Sequence, residues 1–530
     1  MDIENALNLA IDNVILEGTT DVDLFSRPFE IDMLKNQEFR NAVVKELKPG
    51  LKAGDFNALK FLPLSHCLVP KKDFFAFRKC ALIDPLDEIK FLTCVIMIAE
   101  LIEKNRDPIG KKRVFSYRWK PSKGHLFSSK YNFTSFRSHI QEQSQKRNVN
   151  VIAECDIANF YDRINLHRLE CILSSLESID VTYVRTIDLL LKFWANRDSY
   201  GLPVGSNASR ILAEASLIEV DKYLVSQNVK FCRFVDDFRF FAPDAATAHY
   251  WLSLLVMRLN KEGLFINSNK TQLRDVSKES QAKSPLFSIT PVSKKQKSQE
   301  NIAKIIRGYS GTIPTKFRNL RKKEIEKYEQ IDIEPLFEDA KKNVLIDPKR
   351  FIELLKVCVA QKRSDYFIEI VHLTKKFPQF IPLTLDTILR NIDFLKNDEQ
   401  KLISDTLDQY WLQNPTCAEY IQIYVIRFLG HKKIERKDIL FSFFKRLTRN
   451  QGNYIGRAIL EQMTSYVERG QVLEIRDYFL RADVWEKRQI ARMISIHLIE
   501  DEKKPYFKNI KAISDDIYIR YIEKLFSKQK

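Results

Sequence analysis

Residues 232–243 read CRFVDDFRFFAP. Asp236 and Asp237 stand between two runs of strand formers, residues 231–235 and 238–241. Aromatic and β-branched side chains suit a half-buried pleated surface, whereas Asp is depleted in strands. The pattern predicts a β-hairpin with the acidic pair at its tip. Adjacent carboxylates repel, and in a partly buried place that repulsion is costly without a cation. The pair therefore points to a metal, against the plainer reading of a solvated Asp-rich turn.

The whole chain sets the limits for that reading. At 530 residues it has room for roughly two to four domains, and its formal net charge of +17 suits a polyanionic partner such as nucleic acid. The first residues, MDIENALNLAIDNV, carry acids where a secretory signal carries Lys or Arg. The apolar run at 91–99 is too short to span a bilayer and is closed by Glu100 and Glu103. Eight cysteines are scattered without a Cys-x-x-Cys pair or zinc-ligand spacing. A reduced, cytoplasmic protein without structural zinc or membrane partner is expected.

Several stretches before and after the hairpin carry chemistry. Residues 69–91 place Lys71, Lys72, Arg78 and Lys79 on a strand–turn–strand pattern, a basic hairpin suited to a triphosphate or to plain solvation. Residues 111–127, KKRVFSYRWKPSKGHLF, interleave Arg113, Arg118 and four lysines with Phe115, Tyr117 and Trp119, a mixture suited to phosphate contacts and base stacking. Residues 150–163, NVIAECDIANFYDR, read as a strand delivering Asp156, either a metal ligand or a helix cap. The GLPVG loop at 201–205 brings backbone close to a ligand and leads into an amphipathic helix. A second amphipathic helix is expected over 245–262, and GLFINSNKT (263–271) is expected to form a turn and a strand leading to Lys270.

In this order the stretches resemble the sequence blocks of reverse transcriptases. DIANFYDRI resembles the first palm block, GLPVGSNASRILAE the second, RFVDDF the aromatic-x-Asp-Asp box, GLFINSNKT the fourth, and KKDFFAFRK the fingertip. Asp156 and Asp236 are 80 residues apart. The resemblance implies two-metal phosphoryl transfer with Mg²⁺, Mn²⁺ being a substitute, at Asp156, Asp236 and Asp237, with the backbone carbonyl of Ile157 as a further ligand. It implies that Lys71 and Arg78 grip the triphosphate, that Val204 and Gly205 shape the nucleotide pocket, and that Lys270 acts as a general acid near pyrophosphate. Tyr161 matches the family's aromatic gate against a 2′-hydroxyl, which makes deoxynucleoside triphosphates the substrates. Val204 stands where many members carry Gln.

From 283 to 330 there are twelve Lys/Arg against four Glu, including Arg318, Arg321, Lys322 and Lys323, a block suited to a phosphate backbone. Beyond residue 334 the pattern is almost wholly helical, with breaks at Pro348, Pro378, Pro382, Pro415 and Gly430, and predicts an α-solenoid or HEAT-like array. The expected fold class is α+β, mostly α. It has right-hand fingers and palm of reverse-transcriptase type (66–287) after an N-terminal extension (1–65), then a basic connector (288–333) and the helical array (334–530).

A palm followed by a long helical array, with the SYR at 116–118, resembles bacterial abortive-infection reverse transcriptases. That implies antiphage defence, oligomeric assembly, and DNA synthesis that is template-independent or protein-primed, the DNA being covalently attached in the latter case. No tyrosine precedes Tyr117, which speaks against an N-terminal priming tyrosine. Two alternatives stand beside this: RNA-templated synthesis on an associated noncoding RNA, and an inactive palm serving as a nucleic-acid scaffold.

Overall fold

The acidic pair lies where two antiparallel strands turn, with Val235 and Asp236 alone making the connection. The computed structural model describes residues 1–71, 77–276, 314–344, 346–414, 416–447 and 454–526. Lys72 and most of the basic connector, residues 288–313, lie outside the described residues.

The described strands are β1 (Ser65–Pro70), β2 (Phe77–Leu82), β3 (Trp119–Ser122), β4 (His125–Phe127), β5 (Val151–Asp156), β6 (Phe231–Phe234), β7 (Asp237–Ala242) and β8 (Gln272–Asp275). The last four form an antiparallel sheet ordered β6-β7-β5-β8. Register decides what each face carries, because side chains alternate and cross-strand partners share a face. Cys155 faces Phe238 and Ala153 faces Phe240, giving an apolar face that also holds Arg233 opposite Phe238. Asp156 faces Asp237 and Glu154 faces Arg239, giving a charged face. A slip of one residue would exchange the two sets.

Contacts divide the chain into two compact units. The first holds this sheet and comprises Met1–Val22, Arg27–Leu64 and Ala81–Val292. Its helices are α1 (Ile3–Glu17), α2 (Phe29–Met33), α3 (Gln37–Ala53), α4 (Phe56–Leu59), α5 (Pro85–Asn105), α6 (Phe133–Ser144), α7 (Phe160–Arg163), α8 (Leu166–Ser174), α9 (Val181–Trp194), α10 (Asn207–Ser216), α11 (Ile218–Ser226) and α12 (Ala245–Lys261). Short polar side chains start many of them: Asp84, Asp180, Ser206 and Asp244 accept first-turn amide protons of α5, α9, α10 and α12. Each such cap is worth about 1 kcal/mol. The long apolar α5 is the hub, packing on α1, α9 and α10, while α12 packs on β5 and β7.

One expectation needs correction. Residues 263–271 hold no strand beyond a single bridge from Ile266 to Ile157; Ser268–Lys270 is a 3₁₀ turn, and β8 begins only at Gln272. Asn-Ser-Asn favours local turn hydrogen bonds over a ladder. The Asn267 amide donates instead to the carbonyl of Asp156 at 2.7 Å, which lays this segment beside the end of β5.

The second unit comprises Asp23–Ser26, Ser65–Cys80 and Ser293–Lys530, so the β1–β2 hairpin up to Cys80 sorts with the C-terminal helices. Those helices are α13 (Lys322–Glu329), α14 (Glu334–Lys342), α15 (Pro348–Gln361), α16 (Ser364–Thr374), α17 (Ile381–Arg390), α18 (Asn397–Leu407), α19 (Glu419–Leu429), α20 (Lys437–Arg446), α21 (Ile455–Met463), α22 (Arg469–Arg476), α23 (Val484–His497), α24 (Glu500–Ile513) and α25 (Ile517–Phe526). Contact skips alternate helices: α13 meets α15, and α17, α19, α21, α23 and α25 meet in turn. Stacked two-helix repeats give this pattern, so the expected helical array is present. Within this unit β1 lies against α19. Among the described residues no helix is long and apolar enough to cross a membrane.

Candidate active site

β5 and the turn between β6 and β7 carry three carboxylates to one edge of the sheet. Asp156 ends β5, Asp236 occupies the turn, and Asp237 opens β7 directly opposite Asp156. A backbone bond from the Ile157 amide to the Asp236 carbonyl, 3.1 Å, ties the turn to β5. Ile157 itself is buried.

The electrostatics are those of crowded acids. Desolvation first, then the neighbouring Asp156, push Asp236 up to about 7. Desolvation also pushes Asp237 up to about 6, although Arg239 pulls the other way. Among the described residues, Lys270 and Arg239 pair with these aspartates. Lys270 Nζ sits 2.8 Å from Asp156 Oδ2, and Arg239 forks onto Asp237, with Nη2 3.2 Å from Oδ2. Glu154, opposite Arg239 in register, is 3.7 Å from the same guanidinium. Sequence reading missed Glu154 and Arg239; their signal was period-two placement on the face of Asp156 and Asp237.

An all-oxygen, like-charged donor set suits a hard divalent ion, and burial together with the neighbouring Asp156 makes the Asp236 charge costly without one. Asp156 and Asp236 fit this role. Asp237 is turned to Arg239, and among the described residues no three His, Cys, Asp or Glu side chains gather closely enough to hold an ion together.

The pocket residues fall as follows. Tyr161 lies in α7, its carbonyl accepting from the Leu202 amide at 2.9 Å. Burial pushes its phenol well above the ordinary value, with Tyr117 and Asp236 adding to the shift, so the ring lies in the carboxylate neighbourhood. Gly205 has φ +117°, and a Cβ there would meet Thr20 Oγ1 at 2.4 Å, so only glycine fits; Val204 precedes it in the loop that Ser206 closes by capping α10. Arg210 stands over the Tyr117 ring at 5.3 Å. Lys71 and Arg78 both belong to the second compact unit. So do Arg318, Arg321, Lys322 and Lys323, all exposed, with Arg318 paired to Glu324.

The basic–aromatic segment is different from its expected role. Arg118 is fully buried, its guanidinium donating to the Val114 and Asp107 carbonyls and to Glu103 Oε1 at 3.0, 2.7 and 3.0 Å. It cannot reach a phosphate backbone. Arg113 is half-buried on Asp107 at 2.5 Å. The aromatics turn inward because apolar rings recover burial energy that a solvated loop cannot, and they bring the arginines with them. Phe115 is among them, 3% exposed.

Behind the turn lies a buried ion network that sequence reading also missed. Arg233 is fully buried and bidentate to Asp221 at 2.8 and 2.6 Å, with Nη1 2.9 Å from Glu214. Arg106 reaches the same Glu214 at 2.7 Å. Burial works to raise the Glu214 carboxyl, but Arg233 and Arg106 outweigh it and hold the group below its ordinary value. The available signal was an arginine in an otherwise apolar strand.

Residues 111–299 match the family model described as "Reverse transcriptase (RNA-dependent DNA polymerase)". No match was found among curated proteins. Among solved structures, telomerase from Candida albicans in complex with a TWJ fragment of telomeric RNA is similar at 12% identity and TM-score 0.32, over 77% of this chain and 71% of that one. Telomerase from Candida tropicalis with the same kind of fragment gives 14% and 0.30, over 69% and 64%, and its apo form 12% and 0.30, over 75% and 69%. Such values mark partial likeness, and the domain match is the stronger tie. With a palm-type sheet over the matched residues, this chain carries a reverse transcriptase domain at 111–299, the domain of RNA-dependent DNA polymerases.

Proposed function

We propose that the chain extends DNA from deoxynucleoside triphosphates with two Mg²⁺ ions, as an abortive-infection type reverse transcriptase in bacterial antiphage defence. The observation that carries the polymerase reading is the meeting of Asp156, Asp236 and Asp237 at one sheet edge, with Asp236 pushed up to about 7. The helical array after the palm supports the defence reading, as does the resemblance at residues 116–118.

Asp156 and Asp236 would hold the ions, and Asp237 joins them once it leaves Arg239. Bound divalent ions make the attacking hydroxyl more acidic and neutralise the departing pyrophosphate. Lys270, 57% exposed and 2.8 Å from Asp156 Oδ2, would meet that leaving group on releasing Asp156. Tyr161 lies in the same neighbourhood and excludes a 2′-hydroxyl. The exposed Arg318, Arg321, Lys322 and Lys323 suit a nucleic-acid backbone. The match of residues 111–299 to an RNA-dependent DNA polymerase family supports RNA as a partner. Oligomerisation through the helical array and a cytoplasmic location complete the reading.

The test is incorporation of labelled deoxynucleotides by purified protein with Mg²⁺, with and without RNA template, followed by protease treatment of the product. Incorporation lost in Asp236→Asn supports the polymerase; synthesis without template, on DNA that migrates with protein until digested, supports the defence type. Activity unchanged in Asp236→Asn overturns both.

A further inference from the structure

Val235, the residue before Asp236, has φ +56°, a left-handed conformation that a β-branched side chain adopts only under constraint. The two-residue turn closed by Phe234 and Asp237 demands that conformation at a position where glycine is usual. Both polar groups of the Val235 backbone are held by the buried ion network. The Val235 amide donates to Ser116 Oγ at 2.9 Å, and its carbonyl accepts from Arg233 Nη1 at 3.1 Å. Ser116, itself fully buried, donates its hydroxyl proton to Glu214 Oε1.

The direction of these bonds is fixed by charge. Glu214 is flanked by Arg233 and Arg106, at 2.9 and 2.7 Å, so it is an acceptor only. The serine hydroxyl must then give its single proton to Glu214, which leaves its lone pairs for the Val235 amide. Arg106 also holds the carbonyls of Ser116 and Tyr117, at 2.7 and 2.8 Å, and Tyr117 is a second left-handed residue, φ +45°. Asp221 fixes the other end of Arg233.

We propose that Ser116, Glu214 and Arg233 are positioning residues that clamp Val235 in its left-handed conformation and so aim the Asp236 carboxylate at Asp156 and the divalent ion. The inference rests on the polymerase reading above. Without the clamp Val235 relaxes to negative φ, the two-residue turn and the Phe234–Asp237 pair that closes it open, and Asp236 leaves the shared site. Ser116 of the SYR segment thus acts through the backbone of the turn.

The test is a cycle of Ser116→Ala and Val235→Gly in the full chain, with Asp236→Asn alongside. Glycine takes positive φ without strain, so it removes the need for the clamp. Primer extension and Mn²⁺ binding, followed by electron paramagnetic resonance, are measured at a temperature where each variant is folded by circular dichroism. Ser116→Ala is expected to lower kcat about ten- to hundredfold, with a much smaller change in nucleotide KM, and to weaken Mn²⁺ binding. In the Val235→Gly background the same change should cost under about threefold. Wild-type kcat and Mn²⁺ affinity in Ser116→Ala overturn the proposal. So does an equal loss in both backgrounds, or a folded Val235→Gly that no longer binds Mn²⁺. Should Ser116→Ala not fold, Val235→Gly decides alone: near-wild-type Mn²⁺ binding supports the clamp and lost binding overturns it. If the wild type incorporates no nucleotide, the polymerase reading fails, and the Mn²⁺ arm still decides the clamp.

Discussion

The ammonium of Lys270 lies 2.8 Å from Asp156 Oδ2, in the place a divalent cation would compete for. Asp156 thus has a cationic partner within the chain, whereas desolvation and the neighbouring Asp156 push Asp236 up to about 7. The lysine is more than half exposed, so the pairing is weak and easily exchanged.

Competition of this kind has a measurable sign. Lys270→Ala should tighten Mn²⁺ binding in the absence of nucleotide, by about two- to fivefold, since an exposed pair contributes little. The same variant should slow incorporation if the lysine meets the pyrophosphate. Weaker ion binding in Lys270→Ala would contradict the competition.

Asp236→Asn should reduce incorporation at least about a thousandfold, because a bridging carboxylate has no neutral substitute in two-metal chemistry. It should also raise the melting temperature of the metal-free protein, since the substitution removes a desolvated charge crowded by Asp156. Higher stability with lost activity would separate a functional strain from simple damage.

Tyr161→Ala should relax sugar discrimination. The ring stands in the carboxylate neighbourhood, and its removal leaves space for a 2′-hydroxyl. The ratio of kcat/KM for dCTP over CTP is expected to fall about ten- to hundredfold, a difference of the order of 1–3 kcal/mol in the pocket. An unchanged ratio would assign the ring to the core.

Glu88 gives a pH dependence. It is buried in α5, accepts from Ser206 at 2.8 Å and is pushed up by burial from 4.5 to about 8. Its folded value exceeds its unfolded one, so the folded state holds the proton longer. Stability should therefore fall as pH rises from about 4.5 to about 8 and level off above that. Glu88→Gln should flatten this slope and melt higher than wild type at pH 8, by an amount that vanishes near pH 4. Parallel curves for the two proteins would refute it.

Asp221→Ala should cost about 3–5 kcal/mol in denaturant unfolding, the usual result of stranding a buried charge, here Arg233. Loss below about 1 kcal/mol would mean that Glu214 alone satisfies the guanidinium.

Much of the site was legible because its signals are local. The hairpin at 231–242 follows from strand formers around two aspartates, and Asp156 from a strand that ends in an acid. The helical array follows from apolar spacing. What was misread involved long side chains whose partners are remote. Arg118 looked like a phosphate ligand because it sits among lysines and aromatics, yet it ends against Glu103 and the Val114 carbonyl. The fourth block looked like a strand because Phe265 and Ile266 favour one, yet Asn267 bonds to the Asp156 carbonyl and delays β8.

The amino-acid sequence by itself determined the order of the blocks, the strand period that sets acids on one face, and the apolar stripes of the C-terminal helices. These depend on propensity and periodicity, which act over a few residues. Only the tertiary structure decided that Asp237 faces Arg239, that Lys270 reaches Asp156, and that Val235 is held left-handed by Ser116, Glu214 and Arg233. Ser116 and Glu214 are 98 residues apart in the chain and Arg106 and Glu214 are 108 apart. Charges so distant pair only once the apolar faces around them have closed, because burial is what makes each unpaired charge too costly to leave alone.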